Sequence, residues 1–363
     1  MTNDIYMLWL SSMVHQIGSR KLNSLVEIFG SARAVFLSHE EDLENAMGNA
    51  VHSYQILKQH RSLEYIEGVL VKLESCGVAY ISRNSERFPT LLAQIPDPPL
   101  GIFFMGTLPP DAMPKVAIIG SRKCSEYGLL AARLLAKPLA EAGVAIVSGM
   151  ARGVDSMAHR GALQGGGITI AVLGCGADVC YPAENRELRD EITKRGCVIS
   201  EYAPGIKPSP AFFPARNRII SGLSIGVIVT EASLKSGTLI TVDQAQEQGR
   251  DVMAVPGNIS SKLSQGTNQL IRDGAYAVSD HKDVLAMLGI RIVDNLEEKQ
   301  EKLEVNLATD EKLVYDKLSL EPIGVEALAA ATKHELGKLH LICTKLELKG
   351  LARKLPGARY IRG

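Results

Sequence analysis

The spacing of apolar residues changes along the 363-residue chain, and the changes mark its parts. Over residues 1 to 75 the apolar positions keep helical spacing, as at Leu22, Leu25 and Phe29, which predicts a small helical module. Between residues 77 and 289 short apolar runs alternate with amphipathic segments, which is typical of α/β organisation. The change of spacing therefore predicts a boundary between two folded parts.

The apolar runs of the central part are apolar on both faces, as strands of a parallel sheet covered by helices are. They predict a Rossmann-like, doubly wound α/β fold, in which ligands bind at the carboxyl ends of the strands. The predicted strands lie at residues 116–119, 145–147, 168–173, 198–201, 226–230 and 251–255. The turns after these strands are therefore the first place to look for a site.

The end of the chain contains a charged segment and a second small module. Residues 290–307 carry many charges and no core pattern, so we expect a solvated linker. Three helical stretches follow, at residues 310–318, 324–331 and 336–348, and after them come short runs that suit a β-wing. Three helices and a wing predict a winged helix over residues 308–363.

Composition then limits the class of protein. The 40 Lys and Arg residues balance the 40 Asp and Glu residues, and 46% of the chain is apolar. We see neither a cationic leader nor an apolar run long enough to span a bilayer, so we expect a cytoplasmic protein without a membrane partner. The six cysteines have no metal-ligand spacing, and we predict no metal site. Zero net charge still allows a local basic patch to bind nucleic acid.

Four small or polar turns follow predicted strands and would meet along one rim of the sheet. The first combines backbone N–H groups near a helix start with a hydroxyl and two cations, which suits a phosphate group. Ordinary turn chemistry explains any single one of these turns, but it explains all four together less well. The residues of the first turn are Gly120, Ser121, Arg122 and Lys123.

A long loop after the strand at 198–201 places aromatic residues beside cations. Arg side chains bind phosphate in a bidentate manner, and an aromatic ring provides a surface on which a base can stack. This combination predicts an interface for single-stranded nucleic acid. As the alternative, we expect at least one of Phe212 and Phe213 to anchor the loop in the core. The polar and aromatic candidates are Lys207, Phe213, Arg216, Asn217 and Arg218.

A dinucleotide-dependent enzyme is the first competing interpretation, because the fold class and the glycine turns invite it. The GxGxxG fingerprint is missing after the strand at 116–119, and the second strand ends without an acid for a ribose. We therefore predict no cofactor. Asp155 and His159 lie one turn apart on a predicted helix, but without a nucleophile beside them a capping or packing role is the better interpretation.

Ordered blocks between residues 116 and 275 resemble the DNA-processing protein A family, also called DprA or Smf. Membership would imply an extended Rossmann fold that binds single-stranded DNA, protects it, self-associates as a homodimer and helps to load the RecA recombinase during natural transformation. The blocks are VAIIGSRKCSEYG, SGMARGVDSMAHRGAL, GGITIAVLGCGADVCYPAENREL, ISEYAPG, FFPARNRIISGLS, VIVTEASLKSGTLITVDQA and VPGNISSKLSQGTNQLIRDGA.

The resemblance also implies which residues bind. The family's Gly-Ser-Arg turn falls on residues 120–122, and its second binding element falls on the loop candidates from Lys207 to Arg218. A third segment would form the floor of the same pocket, namely Ser236, Gly237 and Thr238. We expect Arg122→Ala or Arg218→Ala to weaken single-strand binding without unfolding the protein.

The same blocks resemble, more faintly, the nucleotide phosphoribohydrolases that activate cytokinins. Those enzymes carry a PGGxGTxxE pattern, whereas this chain has Thr241 at the position of the catalytic Glu. We therefore predict a binding protein and no enzyme, and release of free base from a nucleoside monophosphate would overturn that prediction.

Two interpretations remain open for each of the two flanking modules. The first resembles a helix-hairpin-helix or SAM-like domain, and either binds a DNA backbone or only packs on its neighbour. Residues 337–363 hold seven Lys or Arg residues against one acid, so the winged helix either binds duplex DNA, as in a small-molecule sensor, or docks a protein. Its contact candidates are Lys338, Lys345, Lys349, Arg353 and Lys354.

Overall fold

The computed structural model describes residues 4–290, 308–319 and 322–362. Contacts divide the chain into two compact units, Met1–Arg291 and Ile292–Gly363, and each is described by itself. Apart from residue 290, the predicted linker lies outside the described residues. Among the helices that the structure describes, none has both the length and the apolar composition that crossing a bilayer requires.

Seven helices form the beginning of the first unit, as the helical spacing predicts. Their core contains Trp9, Leu22 and Leu25, which are almost completely buried. The Ser31 side chain accepts a hydrogen bond from the Ala34 amide at 3.1 Å and so begins the fourth helix. The helices are α1 Asp4–Ser12, α2 Val14–Ile17, α3 Ser19–Phe29, α4 Ala32–Leu37, α5 Glu40–Met47, α6 Val51–Gln59 and α7 Leu63–Cys76.

A nine-stranded sheet follows. Its strands are β1 Ala79–Ser82, β2 Gly101–Gly106, β3 Lys115–Ile119, β4 Ala145–Ser148, β5 Thr169–Leu173, β6 Cys197–Ser200, β7 Gly226–Val229, β8 Asp251–Ala254 and β9 Tyr276–Ala277. They lie in the order β1-β2-β6-β5-β4-β3-β7-β8-β9, and all neighbours from β6 to β9 are parallel. The predicted α/β fold with a doubly wound sheet is thereby confirmed, because the sheet order reverses at β3.

Three strands were missing from the prediction. Strand β2 pairs antiparallel with both β1 and β6 at one side of the sheet, and β9 is only two residues long. Strand β9 is too short to contain a run of apolar residues, and β1 has only a short one, whereas the four apolar residues at 102–105 in β2 were a signal that the prediction missed. The antiparallel pair extends the sheet beyond the six predicted parallel strands.

Helices cover both faces of the sheet. Alternate residues of β3 show this directly, because Val116 and Ile118 pack with α9 and α10, whereas Ala117 and Ile119 pack with α12 and α13. The helices are α8 Thr90–Ala93, α9 Glu126–Glu141, α10 Val154–Gln164, α11 Arg186–Arg195, α12 Phe212–Gly222, α13 Thr238–Glu247, α14 Gln265–Arg272 and α15 His281–Met287, and a 3₁₀ turn spans Ala183–Asn185. Helices α12 and α13 begin where the polar turns of the sheet end.

The second unit is the predicted winged helix. Its small core includes Leu328, Leu339 and Tyr360, and its three strands lie in the order β10-β12-β11. Its elements are α16 Thr309–Lys317, β10 Ile323–Gly324, α17 Val325–Thr332, α18 Leu336–Leu348, β11 Ala352–Leu355 and β12 Arg359–Arg362. The helices begin and end within a few residues of the predicted bounds.

Candidate nucleic-acid interface

One cleft of about 640 Å³ opens at the carboxyl end of β3, beside the beginnings of α12 and α13. It collects residues from five separate segments of the chain, as expected for a ligand site at the reversal point of such a sheet. The predicted residues that line it are Gly120, Ser121, Arg122, Lys123, Phe213, Arg216, Asn217, Ser236, Gly237 and Thr238. Lys207 and Arg218 do not line it.

Backbone and carboxylate hydrogen bonds hold the first turn in place. The Ser121 amide donates to the carbonyl oxygen of Glu231 at 2.8 Å, and the Lys123 amide donates to the Ser121 hydroxyl at 3.2 Å. The buried Glu231 carboxylate accepts from the amide and the hydroxyl of Ser125, at 2.7 and 2.6 Å, and so fixes the residue whose side chain caps α9. The side chains of Arg122 and Lys123 remain exposed at the cleft.

The two neighbouring phenylalanines have different roles. Phe212 stacks on Tyr202 with ring centroids 4.3 Å apart and packs against the core of the helical module. Phe213 lines the cleft instead, with the Arg122 guanidinium 5.2 Å from its ring centroid. The expectation that at least one of the pair anchors the loop is confirmed for Phe212.

Arg216 forms a buried positive charge at the base of the cleft. It is only 3% exposed, and its guanidinium donates to the carbonyl oxygens of Gly149, at 2.8 Å, and Val172. Burial lowers the pKa of Arg216 to about 10, while the charge of Asp155 acts in the opposite direction. Burial also raises the pKa of Asp155, whereas Arg216 lowers it. Arg216 therefore stays charged at neutral pH.

Arg218 has a structural role, which corrects the prediction that it binds phosphate. Its side chain is 8% exposed and lies 2.6 Å from a Glu201 carboxylate oxygen and 3.4 Å from an Asp97 oxygen. It also donates to the hydroxyl of Ser19 in the helical module at 3.2 Å. Two carboxylates already neutralise this guanidinium, so little of its charge is left for a ligand.

The beginning of α13 forms another wall of the cleft. The Ser236 hydroxyl accepts from the Thr238 amide at 3.2 Å and lies 2.9 Å from the Thr238 hydroxyl. The first amides of a ten-residue helix lack intrahelical acceptors and carry partial positive charge, so this wall suits an anion. Arg122, Arg216 and the start of α13 together make the cleft cationic.

Tyr181 and Asp155 are among the lining residues that were missing from the predicted set. Tyr181 lies beside Phe213, with ring centroids 5.5 Å apart, and is 44% exposed. Its position after the Gly174 turn was the available signal, since that turn was among the four predicted to meet. Asp155, predicted to cap or pack, also lines the cleft and lies near Arg216.

His159, by contrast, does pack inside the fold. It is fully buried, and its Nδ1 lies 2.6 Å from the Thr169 hydroxyl. Desolvation lowers the pKa of His159 to about 3, so the ring is neutral. Over residues 4–290, 308–319 and 322–362, no group of three or more His, Cys, Asp or Glu side chains is placed to hold a metal ion.

The candidate cations of the winged helix are not equivalent. Lys338 lies 2.6 Å from an Asp310 oxygen, and Lys349 lies 2.6 Å from a Glu311 oxygen. Lys345, Arg353 and Lys354 are exposed. The Lys338–Asp310 pair is exposed and contributes little free energy, so Lys338 can exchange its carboxylate for a phosphate at small cost. The Glu311 carboxylate is buried, so releasing Lys349 from it costs more.

Comparison with protein families covers both units. Residues 79–289 match the model of DNA recombination-mediator protein A, and residues 298–358 match the model of the DprA winged helix domain. Protein Smf of Escherichia coli is 37% identical over 304 residues, which cover 82% of this chain and 80% of the relative. DNA processing protein DprA of Streptococcus pneumoniae is 46% identical over 218 residues, which cover 57% and 77%.

Two solved structures share the fold. The X-ray structure of DNA processing protein A from Streptococcus pneumoniae superposes with a TM-score of 0.66 at 36% identity, covering 79% of this chain and 98% of that one. The structure describing the unique single-stranded DNA binding mode of DNA processing protein A from Helicobacter pylori gives 0.53 at 33% identity, covering 58% and 95%.

Proposed function

Because the chain belongs to the DNA recombination-mediator protein A family, we propose that its cleft binds single-stranded DNA. The strongest support is that residues distant in the sequence meet in one cleft. Arg122, Phe213 and Arg216 come from segments about 90 residues apart, yet all three line one cleft whose base is cationic and whose side is aromatic. Cations bind the phosphate backbone, and rings stack unpaired bases.

Each lining group has a separate role in this proposal. Arg122, Lys123, the Gly237 amide and the Thr238 hydroxyl bind phosphates, while Ser236 holds the Thr238 amide in place. Phe213 and Tyr181 receive bases, which a duplex keeps stacked inside and a single strand exposes. Gly120 and Ser121 let the backbone approach the strand, while Arg216 and Asn217 form the base of the cleft. The protein binds its ligand and leaves it chemically unchanged.

We further propose the biological role that the family name suggests. The protein protects incoming single strands in the cytoplasm and helps to load RecA during natural transformation. It acts as a homodimer, whose surface lies late in the α/β domain. Ile259 is 90% exposed and Tyr276, on the sheet-edge strand β9, is 56% exposed, which supports an apolar contact there.

The experiment measures binding of labelled single strand, duplex and mononucleotide in parallel. We expect the single strand to bind best, with log affinity falling against log salt at a slope of about −2 to −4, as three to five phosphate contacts would give. Arg122→Ala should weaken this binding, whereas Lys282→Ala, an exposed lysine on α15, should not. Equal affinity of both variants would contradict the proposal. Tighter duplex binding would favour the winged helix, and release of free base would favour a hydrolase.

A further inference from the structure

The loop between β6 and α12 connects the cleft to the helical module. Pro210, near its end, lines the cleft, whereas Ile206 packs against buried residues of the helical module. The Gly176 amide donates to the Ile206 carbonyl at 2.8 Å, and the Gly205 amide donates to the Asp178 carboxylate at 2.8 Å. The loop is therefore held on both sides and has a defined path from the cleft to α7.

Two exposed lysines flank this loop. Lys207 belongs to the loop itself, and Lys72 comes from α7, 135 residues earlier. A Cβ built on Gly205 would lie only 2.8 Å from the Lys72 ammonium nitrogen, so this lysine lies directly against the loop backbone. Gly205 has a φ of +81°, which glycine adopts without strain. The helical module and the α/β domain thus each contribute one cation at the same place.

Neither ammonium group is neutralised by a carboxylate in the part of the chain that the structure describes. No ion pair of 4.0 Å or less involves Lys72 or Lys207 there. On α7, the positions three and four residues from Lys72 hold Gly, Val, Ser and Cys, so its own helix supplies no acidic partner. The nearby Asp178 carboxylate already accepts the Gly205 amide.

We propose that Lys72 and Lys207 form a second phosphate-binding station, through which the helical module binds the same DNA strand that occupies the cleft. This proposal rests on the proposed function of the cleft. Gly205 and Pro210 are five positions apart in the sequence, so their Cα atoms are at most about 18 Å apart. That distance corresponds to no more than about six nucleotides at a rise of 3.4 Å each. A strand that fills the cleft and continues along the loop therefore reaches both lysines.

The test compares a short and a long oligothymidine, dT2 and dT24, by fluorescence anisotropy between 50 and 200 mM salt. We expect Lys72→Ala to reduce the salt slope on dT24 by about 0.7, the value of one single-strand contact. Over that salt range wild-type affinity should then fall about threefold more than that of the variant. On dT2, which is too short to extend from the cleft to the lysines, the variant should match wild type.

Three control variants make the outcome specific. Lys72→Arg keeps the charge and should keep the wild-type slope, and Lys207→Ala should reproduce the effect of Lys72→Ala. Lys282→Ala removes an exposed lysine on α15, which packs against the core of α9 and does not line the cleft, and should change neither slope. If Lys72→Ala behaves on dT24 like Lys282→Ala while Arg122→Ala still weakens binding, this inference is wrong and the cleft stands. If wild type binds neither oligonucleotide, both proposals fail together.

Discussion

At the scale of single residues, burial and partners decide what a charge can do. Arg216 and Arg218 are two residues apart on α12, so their side chains leave the helix in nearly opposite directions. Arg216 lines the cleft and donates to strand-end carbonyls, whereas Arg218 lies between Glu201 and Asp97. The same residue type therefore serves the site at one position and the fold at the other.

Arg218→Met tests that difference. Removing the guanidinium leaves the buried Glu201 carboxylate without its partner, whereas Asp97 keeps its contacts to Asn23 and Arg20. Breaking such a buried pair costs about 3–5 kcal/mol of unfolding free energy. Urea denaturation should show this loss, whereas Arg122→Ala, at an exposed position, should stay within about 0.5 kcal/mol of wild type. Equal stability of the two variants would refute the structural role of Arg218.

At the scale of elements, the site depends on how closely strand ends approach α12. Gly149 follows β4, and a Cβ at this position would lie 2.6 Å from Nη2 of Arg216 and 2.7 Å from Oδ2 of Asp155. Both side chains are buried and hydrogen-bonded, so they have little room to move. Because Gly149 has no side chain, the end of β4 can approach the Asp155 carboxylate and the Arg216 guanidinium closely.

Gly149→Ala should therefore displace Arg216 and weaken binding of single-stranded DNA several-fold, with a smaller loss of stability than Arg218→Met. Anisotropy titration against dT24 measures the first effect and urea denaturation the second. Gly68→Ala is the matched control, because a Cβ there meets no atom within 4 Å and the residue lies on α7, outside the lining of the cleft. A Gly149→Ala protein with unchanged affinity would show that the base of the cleft tolerates the shift.

At the scale of the whole molecule, stability depends on pH through buried groups far from solvent. His159 is neutral in the folded state, because burial lowers its pKa to about 3, whereas the unfolded chain takes up the proton near 6.5. Protons therefore favour the unfolded state between those values. The contribution of neutral His159 to the unfolding free energy is fully present above about pH 6.5, and it is lost as the pH decreases towards 3.

For wild type, we expect about 2 kcal/mol of unfolding free energy to be lost through His159 between pH 7.5 and pH 5. His159→Gln removes the titrating ring. Between pH 7.5 and pH 5, the unfolding free energy of this variant should therefore fall by about 2 kcal/mol less than that of wild type. Urea denaturation at the two pH values measures both proteins, and contributions from other groups cancel in the difference. Parallel pH profiles would show that His159 is protonated in the folded protein.

The zero net charge of the chain conceals its distribution. Exposed cations line the cleft, whereas acidic residues lie elsewhere in the fold, as Asp97 and Glu201 do around Arg218, so the charges of the whole chain sum to zero.

The division of the first unit into a helical module and an α/β domain stays a prediction, because the described contacts join both into one compact unit. The hydrogen bond from Arg218 to Ser19 is one of the contacts that join them.

The sequence by itself determined the periodic elements and the turns between them. Runs apolar on both faces predicted six parallel strands, and helical spacing with a final wing predicted the winged helix, because burial of apolar faces is a local and repeated requirement. Ten of the twelve predicted binding residues line the cleft, since turns after parallel strands meet at one edge of a sheet. The short edge strands β1 and β9 give little of that repeated signal, and the apolar run of β2 was not recognised as a strand.

Only the tertiary structure decided which polar groups are free to bind. Arg218 and Arg216 look alike in sequence, and their separation came from Glu201 and Asp97, which reach α12 from distant segments. Tyr181 joined the cleft, and Lys72 joined the loop beside Lys207, through contacts between distant parts of the chain. The strength of a charge depends on its neighbours and on its distance from water, and a folded chain alone fixes both.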